Sequence, residues 1–156
     1  VRRLLQREED LKEYYSSVLS AFELDDGHFL HKEDKSFFEK MMQIIDSHIQ
    51  NTDLSVELLS SSLGYSTRQF YRKLKNVTEK TPADIIREYR LTIVERLLLT
   101  TQLSIEEIMD KTGFSNRGTF YKAFAQKFEM TPKQYRNIKT KDVHDASEEG
   151  GGTMNV

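Results

Sequence analysis

Two short stretches carry the residue types that could do chemistry. They are Arg68-Gln69-Phe70-Tyr71-Arg72-Lys73-Leu74-Lys75 and Gly118-Thr119-Phe120-Tyr121-Lys122-Ala123-Phe124. Wound as a helix at about 100° per residue, with Phe70 at 0°, the first puts Leu74 and Val77 within about 40° of Phe70. Arg68, Tyr71, Arg72 and Lys75 then fall between roughly 100° and 200°, on the opposite side. Gly118, Tyr121, Lys122 and Ala125 occupy the same arc of the second. Such a face can recognise nucleic acid: a guanidinium forks onto O6 and N7 of guanine, and a tyrosine reaches a phosphate or a thymine methyl.

Reaction chemistry finds no comparable support. With no cysteine in the chain, disulfides, thiol nucleophiles and cysteine-ligated zinc are excluded. No Ser/His/Asp motif and no glycine-rich phosphate loop occurs, so no catalytic residue and no cofactor is expected. His28 and His31 beside Asp25 and Asp26 have ligand chemistry, but in a polar linker they are expected to be solvated, with no metal bound.

The elements that must position the two faces form an internal repeat. One copy reads Leu54-Ser55-Val56-Glu57-Leu58-Leu59, Gly64-Tyr65-Ser66, Phe70-Tyr71-Arg72 and Thr81-Pro82. The other reads Leu103-Ser104-Ile105-Glu106-Glu107-Ile108, Gly113-Phe114-Ser115, Phe120-Tyr121-Lys122 and Thr131-Pro132. One residue is inserted in the second turn. Each copy predicts a short helix, a glycine turn and a second helix, the arrangement in which the first helix braces a second that enters the major groove. Start signals agree: Ser104 with Glu107 and Ser66 with Gln69 are capping boxes, Asn116 is the matching N-cap, and Asp53 or Ser55 caps the first helix. Gly64 and Gly113 stop the bracing helices. Thr81-Pro82 and Thr131-Pro132 open further helices, and Gln134 completes the second of these as a capping box. The helix from Pro82 to about Leu99 turns Ile85, Ile86, Tyr89, Ile93, Leu97 and Leu98 inward and connects the two copies. Upstream, Phe37 to Ile49 reads as an amphipathic helix carrying Phe38, Met41, Met42, Ile45 and Ile49, and residues 4–22 read as helical.

Composition agrees with an all-α chain of 156 residues, with 2 prolines and 7 glycines. The net charge of −2 hides a division. Residues 1–53 hold 7 Lys and Arg against 12 Asp and Glu, and residues 54–140 hold 15 against 9. The tail 141–156, rich in Asp, Glu, Ser and Gly, is expected to be disordered. The basic middle removes the charge objection to an anionic partner, although an excess of this size also occurs in many domains with neutral partners. No apolar run approaches the roughly 20 residues of a membrane helix, and the charged N-terminus lacks a signal peptide, so a cytoplasmic location without membrane contact is expected. The chain opens on valine, as a fragment of a longer protein would.

The run Gly64-Tyr65-Ser66, Phe70-Tyr71-Arg72-Lys73-Leu74-Lys75 and Thr81-Pro82-Ala83, followed by Gly113-Phe114-Ser115-Asn116, Thr119-Phe120-Tyr121-Lys122-Ala123-Phe124 and Thr131-Pro132-Lys133-Gln134-Tyr135-Arg136, resembles the AraC/XylS family of bacterial regulators. The likeness covers about residues 37–138. It implies seven helices in two helix-turn-helix subdomains, plus the N-terminal linker helix. The expected division is 1–33 as linker, 34–140 as DNA-binding domain (units 37–81 and 103–138, connector 82–100) and 141–156 as tail. The resemblance also implies transcription regulation through double-stranded promoter DNA, two recognition helices entering successive major grooves. Base contacts then fall on Arg68, Tyr71 and Arg72, and on Arg117, Gly118, Thr119, Tyr121 and Lys122. Gln69 joins them, with its side chain shared with the capping box. Gly118 departs from the larger polar residue usual at its place. The leading segment, Leu4-Leu5-Gln6-Arg7 and Leu11-Lys12-Glu13-Tyr14-Tyr15, is similar to the stretch after a receiver domain in hybrid two-component regulators. A sensor or receiver domain is therefore expected before this fragment. The rival reading is a helical protein-interaction module whose Tyr71, Tyr121 and basic residues dock an acidic partner such as RNA polymerase.

Overall fold

The computed structural model describes residues 8–19 and 31–141, and every element among them is helical. The elements are α1 (residues 8–19), α2 (Lys32–Ser47), α3 (Val56–Ser62), α4 (Thr67–Lys75), α5 (Pro82–Thr100), α6 (Ile105–Thr112), α7 (Arg117–Phe128) and α8 (residues 132–141). They fall into two compact units, Val1–Ile93 and Val94–Val156, and α5 runs continuously across the division. The expected linker at residues 25–28, His28 with its acidic neighbours, and the tail beyond residue 141 lie outside the described residues.

In the first unit, α2 contributes Phe37, Phe38, Met41, Met42 and Ile45 to the core, joined by Leu59, Phe70, Leu74, Val77, Ile85 and Tyr89. Helix α2 starts five residues earlier than the apolar stripe indicated, at Lys32, and ends at Ser47. Its first turn carries Glu33 and Asp34, which suit the positive end of the helix dipole but lie outside the buried stripe. Ile49 is buried from the turn beyond the helix. Ser55 rather than Asp53 caps α3, accepting from the Leu58 N–H at 3.2 Å. Val77 is likewise buried outside its expected helix, because α4 ends at Lys75.

Helix α1 buries Leu11, Tyr14, Val18 and Leu19. The Tyr14 hydroxyl donates to Glu88 Oε2 at 3.0 Å and lies 3.3 Å from the Ile85 carbonyl, while its ring sits 5.5 Å from that of Tyr89. Glu88 also receives Lys80 Nζ at 2.8 Å. From the same helix Tyr89 donates to Asp46 Oδ1 at 2.6 Å and Arg90 donates to the Asn51 carbonyl at 2.7 Å. Helix α5 is thereby tied to α1, to α2 and to the loop after α2. Its burial is wider than one stripe: Leu91 and Val94 are buried besides the expected Ile85, Ile86, Tyr89, Ile93 and Leu98, whereas Leu97 is half-buried.

The second unit is built on aromatics. Phe114, Phe120, Phe124 and Tyr135 are buried, with ring centres 5.0 Å apart for Phe114–Phe120 and 5.7 Å for Phe124–Tyr135. Phe128 closes the cluster at 4.5 Å from Phe124 and 4.9 Å from Tyr135. Tyr135 donates to Glu95, and Arg136 donates to the Leu98 carbonyl at 3.0 Å and the Thr101 carbonyl at 3.4 Å. A cation on the last carbonyls of α5 satisfies acceptors the helix cannot and complements its dipole. The Thr-Pro signature therefore continues into a structural clasp, with Tyr135 and Arg136 holding α8 to the end of α5.

Candidate nucleic-acid interface

Each recognition helix is set by local chemistry at its turn. In the first unit Gly64 adopts φ +79°, the left-handed conformation that suits glycine. The Tyr65 N–H then donates back to the Ser60 carbonyl at 2.9 Å and the Gly64 N–H to Ser61 at 3.1 Å, which closes α3. Ser66 opens α4 with a complete capping box: Ser66 Oγ accepts from the Gln69 N–H at 3.2 Å, and Gln69 Oε1 accepts from the Ser66 N–H at 3.0 Å. In the second unit Gly113 takes φ +78° and Phe114 N–H reaches the Met109 carbonyl at 3.0 Å. Asn116 Oδ1 accepts from the Thr119 N–H at 2.9 Å and starts α7. The Ser104 box is half made, with Ser104 Oγ accepting from the Glu107 N–H at 3.1 Å. The Thr131–Gln134 box is complete.

These turns hold α4 with Phe70 and Leu74 buried and Arg68, Gln69, Tyr71, Arg72 and Lys75 exposed. Phe37 braces the buried side, 5.7 Å from Phe70 and 5.9 Å from Tyr65. Tyr71 is 44% exposed, which is high for so large a ring, and its ring centre lies 6.1 Å from that of Phe70, edge to face. Lys73 is the basic residue that does not join the outer face; its Nζ lies 5.0 Å over the Tyr65 ring. Arg68 and Arg72 make no ion pair or hydrogen bond among the described residues.

Helix α7 repeats the plan with fewer long side chains outside. Arg117, Gly118, Thr119 and Lys122 are exposed and Tyr121 half-exposed, over buried Phe120, Ala123 and Phe124. All nine sequence-predicted residues thus lie on their outer faces, but two are already committed. Gln69 is held in its capping box. Arg117 Nη1 donates to Glu106 Oε1 at 3.0 Å, and its guanidinium carbon lies 5.3 Å from the centre of the Tyr121 ring. Sequence reading missed Glu106, because no local spacing rule links residues across a turn.

The resolved pKa shifts fall on the scaffold and not on these faces. Burial, with Glu88 close by, raises the Tyr14 phenol, and burial beside Glu95 raises that of Tyr135. The Arg87 hydrogen bond, then that of Thr81, lowers Asp84 at the start of α5. Burial lowers Arg90. Among the described residues no group of three or more His, Asp or Glu lies together as a metal site would, and no helix is long and apolar enough to cross a membrane.

The helix-turn-helix domain family matches residues 59–138. The chain belongs to the AraC/XylS family of helix-turn-helix transcription regulators. It is 30% identical over 103 residues to the regulatory protein SoxS of Escherichia coli K12, covering 66% of this chain and 95% of that protein. It is 34% identical over 104 residues to histidine kinase P4 of Formosa agariphila, a match that spans 67% of this chain and only 8% of the kinase. The C-terminal domain of the two-component response regulator yesN from Fusobacterium nucleatum superposes with a TM-score of 0.58 at 28% identity, covering 63% of this chain and 95% of that domain.

Proposed function

We propose that this AraC/XylS-family chain reads double-stranded promoter DNA and regulates transcription without catalysis of its own, placing α4 and α7 in successive major grooves. The outer face of α4 carries the reading. A helix whose inner side is buried phenylalanine and leucine and whose outer side offers two arginines unpaired among the described residues, a lysine and an exposed tyrosine fits the groove-facing helix of this motif. Arg68 and Arg72 are the guanine readers, Tyr71 and Tyr121 reach phosphates or thymine methyls, and Thr119 and Lys122 contact the second element. Gln69 could reach a base only by leaving its capping box, and Gly118 brings the α7 backbone close while offering no side chain.

The matches to part of a histidine kinase and to the C-terminal domain of a response regulator support a further step. The chain is the output end of a two-component protein in the cytoplasm, with a sensor or receiver domain before it and RNA polymerase as a partner once bound to the promoter.

The test is helical phasing. A duplex enriched from a random pool by the chain should contain two unlike elements about 10 base pairs apart. Inserting ~5 base pairs between them turns the second element to the opposite side and should abolish high-affinity binding by one chain. Binding indifferent to the insertion, or a palindrome requiring two chains, refutes the bipartite reading. A module built to dock an acidic protein would show no phase dependence at all.

A further inference from the structure

The two units differ at the start of their recognition helices by one shifted arginine. Helix α4 opens Thr67-Arg68, whereas α7 opens Arg117-Gly118. Upstream both units carry a glutamate at the same place in the first turn of the bracing helix, Glu57 in α3 and Glu106 in α6. Only the second glutamate has a partner: Glu106 accepts from Arg117 at 3.0 Å, and Glu57 makes no ion pair among the described residues. The same guanidinium lies over the Tyr121 ring, so it is held on both its carboxylate and its aromatic side.

Arg117 is the sole arginine of α7, and Gly118 leaves bare the place where α4 carries Arg68. Resting on the proposed reading that α7 faces DNA, we propose that Glu106 acts as an electrostatic brake on the second recognition helix. It is a positioning residue that holds Arg117 on the protein, so that a DNA phosphate must displace the carboxylate to recruit this guanidinium. The pair can serve this way because both side chains are largely exposed, 66% for Arg117 and 77% for Glu106. A solvated pair is weak enough to be exchanged for a phosphate, and it is further screened by salt. Binding by the second unit is therefore tuned by one carboxylate that itself touches no base.

The test is a double-mutant cycle in the 156-residue chain, titrated against its own enriched duplex at several salt concentrations. Glu106→Gln should tighten binding at low salt by about fivefold, the upper range for releasing an exposed pair. It should also steepen the slope of log K against log[salt] by about 0.9, one added phosphate contact. Arg117→Ala alone should change affinity less than about twofold, and in the Glu106→Gln background it should remove both the gain and the added slope. Glu57→Gln supplies the plain effect of deleting one exposed negative charge, and the gain at Glu106 should exceed it. If Glu106→Gln gains as much with alanine at 117, or no more than Glu57→Gln, the brake is refuted while DNA reading stands. If the unaltered chain binds no duplex, both fall.

Discussion

Arg72→Ala separates reading from mere attraction, because the structure removes the usual ambiguity about folding. Arg72 is exposed and makes no hydrogen bond, ion pair or ring contact among the described residues. Alanine is a good helix former, so the substitution should leave stability within about 0.5 kcal/mol of the parent. A fork onto guanine is worth about 1–3 kcal/mol of discrimination, so affinity for the enriched duplex should drop about 5- to 150-fold. The loss should vanish on duplexes already substituted at the one or two base pairs that Arg72 reads. Lys75, one turn nearer the helix end and also exposed, is the control: Lys75→Ala should weaken every duplex alike and flatten the salt slope by about 0.9. Fluorescence anisotropy against a panel of singly substituted duplexes, at three salt concentrations, gives both quantities. Gln69→Ala would be a poor substitute, since it also breaks the capping box at Ser66. Equal, sequence-blind losses for Arg72→Ala and Lys75→Ala would show that Arg72 meets only phosphate and would refute its role as a reader.

Two further outcomes concern the scaffold. Gly64 sits at φ +79° with no heavy atom within 4 Å of an added Cβ, so Gly64→Ala meets backbone strain and no clash. The left-handed penalty of about 1–2 kcal/mol, partly offset by reduced freedom of the unfolded chain, should leave a net loss near 1 kcal/mol and lower Tm by ~4 °C. Gly64→Asn should lose less, and an unchanged Tm for Gly64→Ala would refute the strain argument. Because folding raises the phenols of Tyr14 and Tyr135 above their unfolded values, the stability tied to their protonated forms is intact below pH ~10. It is lost as pH rises beyond that, by up to about 1.4 kcal/mol per pH unit for each phenol. Urea midpoints from pH 8 to 11 should fall for the parent and flatten for Tyr14→Phe with Tyr135→Phe; parallel curves would refute the linkage.

What the sequence made legible follows from the range over which each signal acts. Ser66 with Gln69, Asn116, Thr131 with Gln134, Gly64 and Gly113 all work within one turn of the chain, and each starts or stops a helix where its residue type requires. The solvated first turn of α2 was not legible, because periodicity marks only residues that are buried. Leu91 and Val94 were missed in α5 for the opposite reason: a helix buried on more than one side has no single apolar stripe to detect. The contacts that fix the elements were beyond reach altogether. Tyr14 meets Glu88 across 74 residues, Arg136 meets the Leu98 carbonyl across 38, and Arg117 meets Glu106 across 11. The outer faces of α4 and α7 could be read from a helical wheel, but their state of engagement could not, since wheel position says nothing about a carboxylate on another helix.

That difference in engagement bears on how unequal the two copies are. Helix α4 has 9 residues and α7 has 12, and the added turn of α7 carries Phe128 into the ring cluster with Phe124 and Tyr135. Glu129 then stops α7 at φ +60°, a conformation more costly for glutamate than for the glycines that stop α3 and α6. The longer helix thus serves packing in the second unit, while its outer face gives up reach: Gly118 replaces Arg68, Ala125 replaces Lys75, and the arginine that remains is bound to Glu106. The first unit keeps on the shorter helix a lysine and two guanidiniums unpaired among the described residues. With more uncommitted donors facing outward, α4 should set sequence preference, and α7 should add phosphate contacts and shape. A base change in the first element should therefore cost more than one in the second, and the gap should narrow in Glu106→Gln, where Arg117 becomes available.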